Sequence, residues 1–475
     1  MPPGSLNAVV QRSTVRVLVA TSVLLCATGA RAAEVTRVVS ALDDENAFDF
    51  NLTASWLHES RSSFVMREDA TKPQEDGTFA LSKDSQFSQR RDILDLRMDF
   101  GILWDVGLRI GVPLVLADER TLSFDRSAGG GCSGPPNCVN SSNSTILRDG
   151  ILPGYEMSSY GLNSEGRATN GDYGVPFMSP SAGLFKGPTR KGFESLNVGL
   201  TWAAFNQRRD DTRPTWTLSF DAKLDVFKDM RFDPRSPHAN TAVGLGYHQF
   251  IWSTFVSKRF RYFEPYFGAW YMLPVRTNGS IYNEVPGGNQ TAINPQHRAA
   301  VVAGVEQIAW ENPRASQRVT VELRGRAEQH FFGRSASELW EPLSSTQACT
   351  NPANGAMPSG CRANIDNNPG DIGFRGNPGV TETQAYTSFG GDAGLNIQVG
   401  KYTRFRGLFG YMRNQAHFIT YAGAGADKDK NGTVDLGDKS EANVNYRDAL
   451  DAPGRRFKVE GSQIWTLFLE GSLMF

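Results

Sequence analysis

The last thirteen residues, 463–475, constrain this chain more than any other stretch. Counting back in twos from Phe475 gives Leu473, Gly471, Leu469, Leu467 and Trp465. The other phase gives Met474, Ser472, Glu470, Phe468 and Thr466. One face is continuously apolar and the other carries a carboxylate and two hydroxyls, the period-2 pattern of a strand wetted on one side. A strand of about ten residues with an apolar outer face is the unit of a membrane-spanning β-barrel.

The pattern recurs. Residues 47–57 set Phe48, Phe50, Leu52, Ala54 and Trp56 against Asp49, Asn51, Thr53 and Ser55. Residues 94–102 turn Asp95, Arg97 and Asp99 inward, and 104–114 turn Asp105 and Arg109 inward. Segments 196–202 and 216–224 follow, the second with Asp221 and Lys223 on its polar face. Alternation is clear again at 319–328 (Glu322, Arg324 and Arg326 inward), 389–399, 403–420 (Arg404 and Arg406 inward) and the last strand (Glu470 inward). Segments 242–257, 262–274 and 298–310 are aromatic or small on both faces, and their phase stays open. A terminal Phe closing such a strand resembles the C-terminal signature of Gram-negative outer-membrane barrels. The resemblance implies that Phe475 is an assembly signal for the barrel-assembly machinery, in the outer membrane of a Gram-negative bacterium.

The connections alternate in length. Short turns are expected at 103, 207–214, 258–261, 311–317 and 400–402, and long loops elsewhere, as in barrels with short periplasmic turns and long extracellular loops. The expected fold is all-β: one transmembrane antiparallel barrel of about twelve strands, residues 33–475. A secreted β-sandwich would also alternate, but it would bury the charged faces between its sheets. The longest surface loops are expected at about 117–192, 329–384 and 421–456.

The first 32 residues read as a secretory signal: Arg12 and Arg16, an apolar run at 17–27, and small residues before Ala33. Of five cysteines, Cys132, Cys138, Cys349 and Cys361 follow it. An even number in an exported chain points to disulfides, most simply Cys132–Cys138 and Cys349–Cys361. The net charge of −1 gives no reason to expect a nucleic-acid partner. A mean hydropathy of −0.37 does not argue against a barrel, in which only alternate residues meet lipid.

Two constellations could carry function. Residues 427–438 fit a twelve-residue calcium loop resembling EF-hand and dockerin-like loops: Asp427, Asp429 and Asn431 at positions 1, 3 and 5, and Gly432 at 6. Thr433 would offer its carbonyl and Asp435 fills position 9, while Asp438 stands where the EF-hand has Glu. Calcium, structural and on the surface, is the one cofactor implied. The second constellation is the lumen-facing set Arg97, Asp99, Asp105, Arg109, Asp221, Lys223, Glu322, Arg324, Arg326, Arg404, Arg406 and Glu470. Its interleaved signs suit ion pairing as well as a narrow polar channel. The leading expectation is a porin-like channel for small solutes. The alternative is a non-conducting surface scaffold with envelope protein partners in adhesion, secretion or gliding motility. An outer-membrane hydrolase is the weakest reading, because the six histidines are scattered and no nucleophile–base signature accompanies them, so no enzyme is expected. A TonB-dependent transporter is not expected either, because residues 33–46 are too few for a plug domain.

Overall fold

The computed structural model describes residues 33–42, 49–125, 144–148, 151, 184–232, 237–282, 289–344 and 377–475. The signal segment 1–32 and all four candidate disulfide cysteines lie outside the described residues.

Twelve antiparallel strands form one closed barrel: β1 (Phe50–Pro73), β2 (Phe79–Leu103), β3 (Val106–Phe124), β4 (Leu196–Phe205), β5 (Thr215–Leu224), β6 (Tyr247–Ser257), β7 (Phe263–Arg276), β8 (Arg298–Asn312), β9 (Gln317–His330), β10 (Tyr386–Val399), β11 (Thr403–Asn414) and β12 (Phe457–Met474). Each pairs with its sequence neighbour, and β12 closes on β1 from Asn51↔Met474 to Arg67↔Phe457. At the seam, Phe50 and Phe475 exchange backbone hydrogen bonds of 3.1 and 2.8 Å, and their rings stack. Closure removes the unpaired edge that an open sheet could not bury in lipid.

The outer surface follows the alternation. Leu96, Leu200, Leu323, Leu395, Phe405 and Leu469 are exposed, whereas Asn51, Thr53, Asp99, Glu322, Asp392 and Glu470 are buried inside. Trp104, Phe260, Tyr262, Trp310, Tyr402 and Phe475 stand exposed around the end with the short turns, an aromatic girdle at the periplasmic interface.

Two features differ from expectation, and a third resolves a phase that the sequence left open. The connection between the first two strands is not a long loop. β1 and β2 run 24 and 25 residues and meet in a tight turn, more than twice the ~9–11 residues that span a bilayer. Their upper halves form a ribbon standing above the membrane. The aromatic hairpin β6–β7 turns Trp252, Phe267 and Tyr271 outward, but Tyr266 and Met272 are buried inside and Phe255 packs against Tyr266. The strand expected at 403–420 breaks after Asn414, and only His417–Phe418 rejoin β12.

The long connections build a cap on the extracellular end with its own hydrophobic core. Strand tops supply Val65, Phe87, Leu122 and Phe457, and loops supply Ile146, Leu184, Phe232, Trp340 and Leu343. Trp340 is fully buried, with the guanidinium groups of Arg190 and Arg120 at 4.7 and 5.3 Å over its ring. Arg190 is buried too, held by Glu341 at 2.7 Å and by the carbonyls of Asn240, Ala242 and Arg231. A buried charge is tolerable only when paired and hydrogen-bonded in this way.

Candidate functional site

Inside the barrel the interleaved charges join into a chain. Arg404 bridges Glu470 at 3.5 Å, and Glu470 lies 3.7 Å from Arg97. Arg97 and Arg109 both hold Asp99 at 3.0 Å, and Arg109 reaches Asp221 at 3.5 Å. A second group joins Arg406 to Glu322 at 2.7 Å, and Glu322 also accepts the Tyr266 hydroxyl at 2.7 Å. A third joins Arg324 and Arg326 to Asp392 at 2.8 and 4.0 Å. Asp105 lies apart from these groups, at the periplasmic turn, where Asn206 and Arg209 hold it. Lys223 sits on the polar face of β5, opposite Asn197 and Gln249. The lumen wall is therefore lined by paired side chains of both signs instead of by a ring of one sign.

A short amino-terminal segment occupies the same space. It begins with a single 3-10 turn at Glu34–Thr36, and Ala33 is fully buried beside Tyr266 and Val302. The backbone amide of Ala33 donates to Glu264, and that of Glu34 to Glu306 at 2.7 Å. The Glu34 carboxylate pairs with Arg404 at 2.5 Å, and the Thr36 hydroxyl meets Ser257 at 2.7 Å. The wall has room for the segment because two of its inward positions are glycine. A Cβ at Gly101 would lie 2.0 Å from the Ser40 carbonyl oxygen, and one at Gly107 2.5 Å from Val39 Cγ2. Sequence reasoning missed this role. The segment has no periodicity, and its hydrogen-bonding partners Glu264, Glu306 and Arg404 lie more than 200 residues away.

On the cell-surface side, the 427–438 loop takes up a compact form. Asp427 accepts the amides of Asn431 and Gly432, and Asp429 accepts the Asn431 amide at 3.0 Å. The third carboxylate converging on Asp427 and Asp429 belongs to Glu441. Asp438 instead caps a local turn through the Ser440 amide at 2.7 Å. Asp435 Oδ1 accepts the Gly437 amide and Asn431 Oδ1 accepts the Thr433 amide, so each of these atoms closes a local turn. Glu441 lies outside the twelve-residue window, beyond the reach of an argument from loop spacing.

The histidines remain dispersed. His58 pairs with Asp92 at 2.8 Å, His417 and His330 stack on either side of Tyr386, and His297 meets the Tyr271 hydroxyl.

A closed twelve-stranded barrel, apolar outside and ion-paired inside, is a transmembrane protein of the Gram-negative outer membrane. No family model matches the sequence, and no curated protein matches it. Among solved structures, the chain is similar to an outer-membrane channel from Pseudomonas putida F1 (8% identity, 89% of this chain and 95% of that one, TM-score 0.36). It is also similar to the TodX monoaromatic hydrocarbon channel (9%, 90% and 90%, 0.35) and to the outer-membrane protease OmpT of Escherichia coli (8%, 93% and 100%, 0.25). Likeness at this level says nothing about what the barrel carries or cuts.

Proposed function

We propose that this protein is an outer-membrane channel for small solutes, porin-like in architecture and held closed at rest by its own amino-terminal segment. The observation that supports this reading is the seating of residues 33–40 against Gly101 and Gly107, through side-chain contacts and a few hydrogen bonds. A filler of that kind can leave without breaking the barrel's hydrogen-bonded wall. The second reading, a scaffold with no conducting state, is favoured by the ordered cap over the extracellular mouth.

Single-channel recording in planar bilayers separates the two. Gly101→Leu fills the slot under Ser40, and deletion of residues 33–40 removes the segment. Both variants should show long ohmic openings that are absent from the wild type. Silence from both, with heat-modifiable barrels, would leave only the scaffold.

We further propose that the surface loop holds a calcium ion through Asp427, Asp429 and Glu441, with weak affinity of the extracellular kind. Three carboxylates within reach of one another, on a loop ordered by its own amides, are a donor set of the hard oxygen type that calcium takes.

A further inference from the structure

A pair of carboxylates lies on the cell-surface side, apart from the three of the 427–441 loop. β5 ends at Leu224, and the next five residues carry Asp225 and Asp229 into a pocket of about 380 Å³. Lys228, Arg231 and Asn240 from the same connection line it, as do Thr277, Asn278 and Gly279 from the connection after β7. The pocket thus sits between two adjacent extracellular loops.

Its frame is backbone. The Met230 amide donates to Gly244 O at 2.8 Å, the Thr277 amide to Gly246 O at 3.1 Å, and the Asn240 side chain to Asp229 O at 3.1 Å. Two glycines let the acids come this close. A Cβ at Gly244 would lie 2.9 Å from Asp225 Oδ1, and one at Gly246, where φ is +78°, would lie 3.6 Å from Asp229 Oδ2. The Arg231 guanidinium reaches the Gly279 carbonyl at 2.5 Å.

Asp225 is the anomaly. It is only 9% exposed, and neither of its carboxylate oxygens has a hydrogen-bond partner. The Asp229 carboxylate lies beside it, a second like charge at the same pocket. A buried carboxylate without a donor is costly, and an ion is one of the few things that remove that cost. The neighbouring oxygens of Asn240, Thr277 and the loop carbonyls are neutral, hard donors.

We infer that Asp225 and Asp229 form a divalent-cation site, of the calcium and magnesium class, that ties the loop after β5 to the loop after β7. The rival explanation is a proton shared between the two acids, which needs no metal.

The test is equilibrium dialysis of the full-length detergent-solubilised protein against radioactive calcium at about 2 mM, above the ~0.1–1 mM affinities of extracellular sites, and separately against magnesium. The background is Asp427→Ala with Glu441→Gln, so that the other loop contributes nothing. This protein should bind one equivalent of one of the two ions. Adding Asp225→Asn or, separately, Asp229→Asn should abolish it, with heat-modifiable migration as the folding control. Bound ion should also slow proteolysis within 237–246 at least tenfold in the background protein. Absence of binding there overturns the site without any Asp225 variant being needed, as does binding that survives both asparagine substitutions. The outcome is independent of the 427–441 loop, whose failure would appear as equal binding by wild type and background.

Discussion

Trp340→Ala should open the extracellular cap and leave the barrel intact. The indole is fully buried among Leu122, Leu184 and Leu343. Truncating such a ring costs roughly 3–5 kcal/mol in transfer and cavity terms. Two arginines also lose an aromatic face, adding about 0.5–2 kcal/mol each. The lost hydrogen bond adds little, because the Pro378 carbonyl that accepts from Nε1 at 3.1 Å still accepts from Ser344 Oγ at 3.0 Å. Arg190 keeps Glu341 and three carbonyls, so no charge is orphaned. A net loss of about 4–9 kcal/mol corresponds to roughly 10³-fold or greater acceleration of exchange for any amide that opens with the cap. Hydrogen-exchange mass spectrometry should find that acceleration in peptides covering 184–193, 377–383 and 441–457, with β4–β11 unchanged. Trp340→Phe should recover most of the protection. The reasoning is refuted if cap peptides of the folded variant exchange like wild type. It is also refuted if the barrel loses heat-modifiability with the cap, since the two would then be one cooperative unit.

Other substitutions test other links. Arg404→Met strips Glu34 of its partner, a buried-pair loss of roughly 3–5 kcal/mol that withdrawal of the segment would relieve. A thiol placed by Val35→Cys should then react faster with a maleimide than it does beside Arg404. In the surface loop, Glu441→Gln should remove calcium-dependent protection from protease whereas Asp438→Asn should leave it; equal behaviour would discard the Glu441 assignment. Asp451, buried in the cap, is pushed by that burial up to about 7 even though the Arg447 and Ala422 amides donate to it. A carboxyl raised above its unfolded value favours the folded cap fully below about pH 4, and that contribution is lost as pH rises through 7. Cap protection factors should therefore be lower at pH 8 than at pH 5, and Asp451→Asn should flatten the difference.

What could be read from the sequence follows from where lipid imposes a rule. Leu96, Leu323 and Leu469 face lipid while Arg97, Glu322 and Glu470 face the lumen, so the period of two marks the strand and its phase together. Above the membrane that rule lapses. Residues 58–73 and 79–93 are strand in which apolar residues such as Val65 and Phe87 stand isolated among polar ones of the same face, and without a continuous apolar face they carried no signal. In β6 and β7 the opposite holds, because Phe255 and Tyr266 turn inward while aromatic residues also face out, and no alternation marks the phase. The lumen charges were legible as a set but not as pairs, since register across strands is needed to bring Arg97 to Glu470 or Arg406 to Glu322. Glu34, Glu264 and Glu306 gave no local sign of function, because each acts only across the barrel.

On the channel reading proposed above, the segment that fills the lumen leaves behind partners that have substitutes. When Glu34 leaves, Arg404 still has Glu470 at 3.5 Å and Ser472 at 3.3 Å. Glu264, which caps the Ala33 amide, still accepts the Ser257 hydroxyl at 2.7 Å, and Glu306 keeps Arg318 at 3.9 Å. No wall charge is stranded by withdrawal, so the closed state does not gain the several kcal/mol that an irreplaceable buried pair would give it. Burial of a few small side chains, Ala33 and Val39 among them, and displacement of lumen water set the remaining bias, and on that scale a solute or a shift of the cap can compete. The wall itself is different: its ion pairs lie between strands fixed by backbone hydrogen bonds, and they stay as the segment moves. A barrel kept shut by side-chain contacts that have ready replacements is suited to opening, and that asymmetry between wall and filler favours a channel over a scaffold.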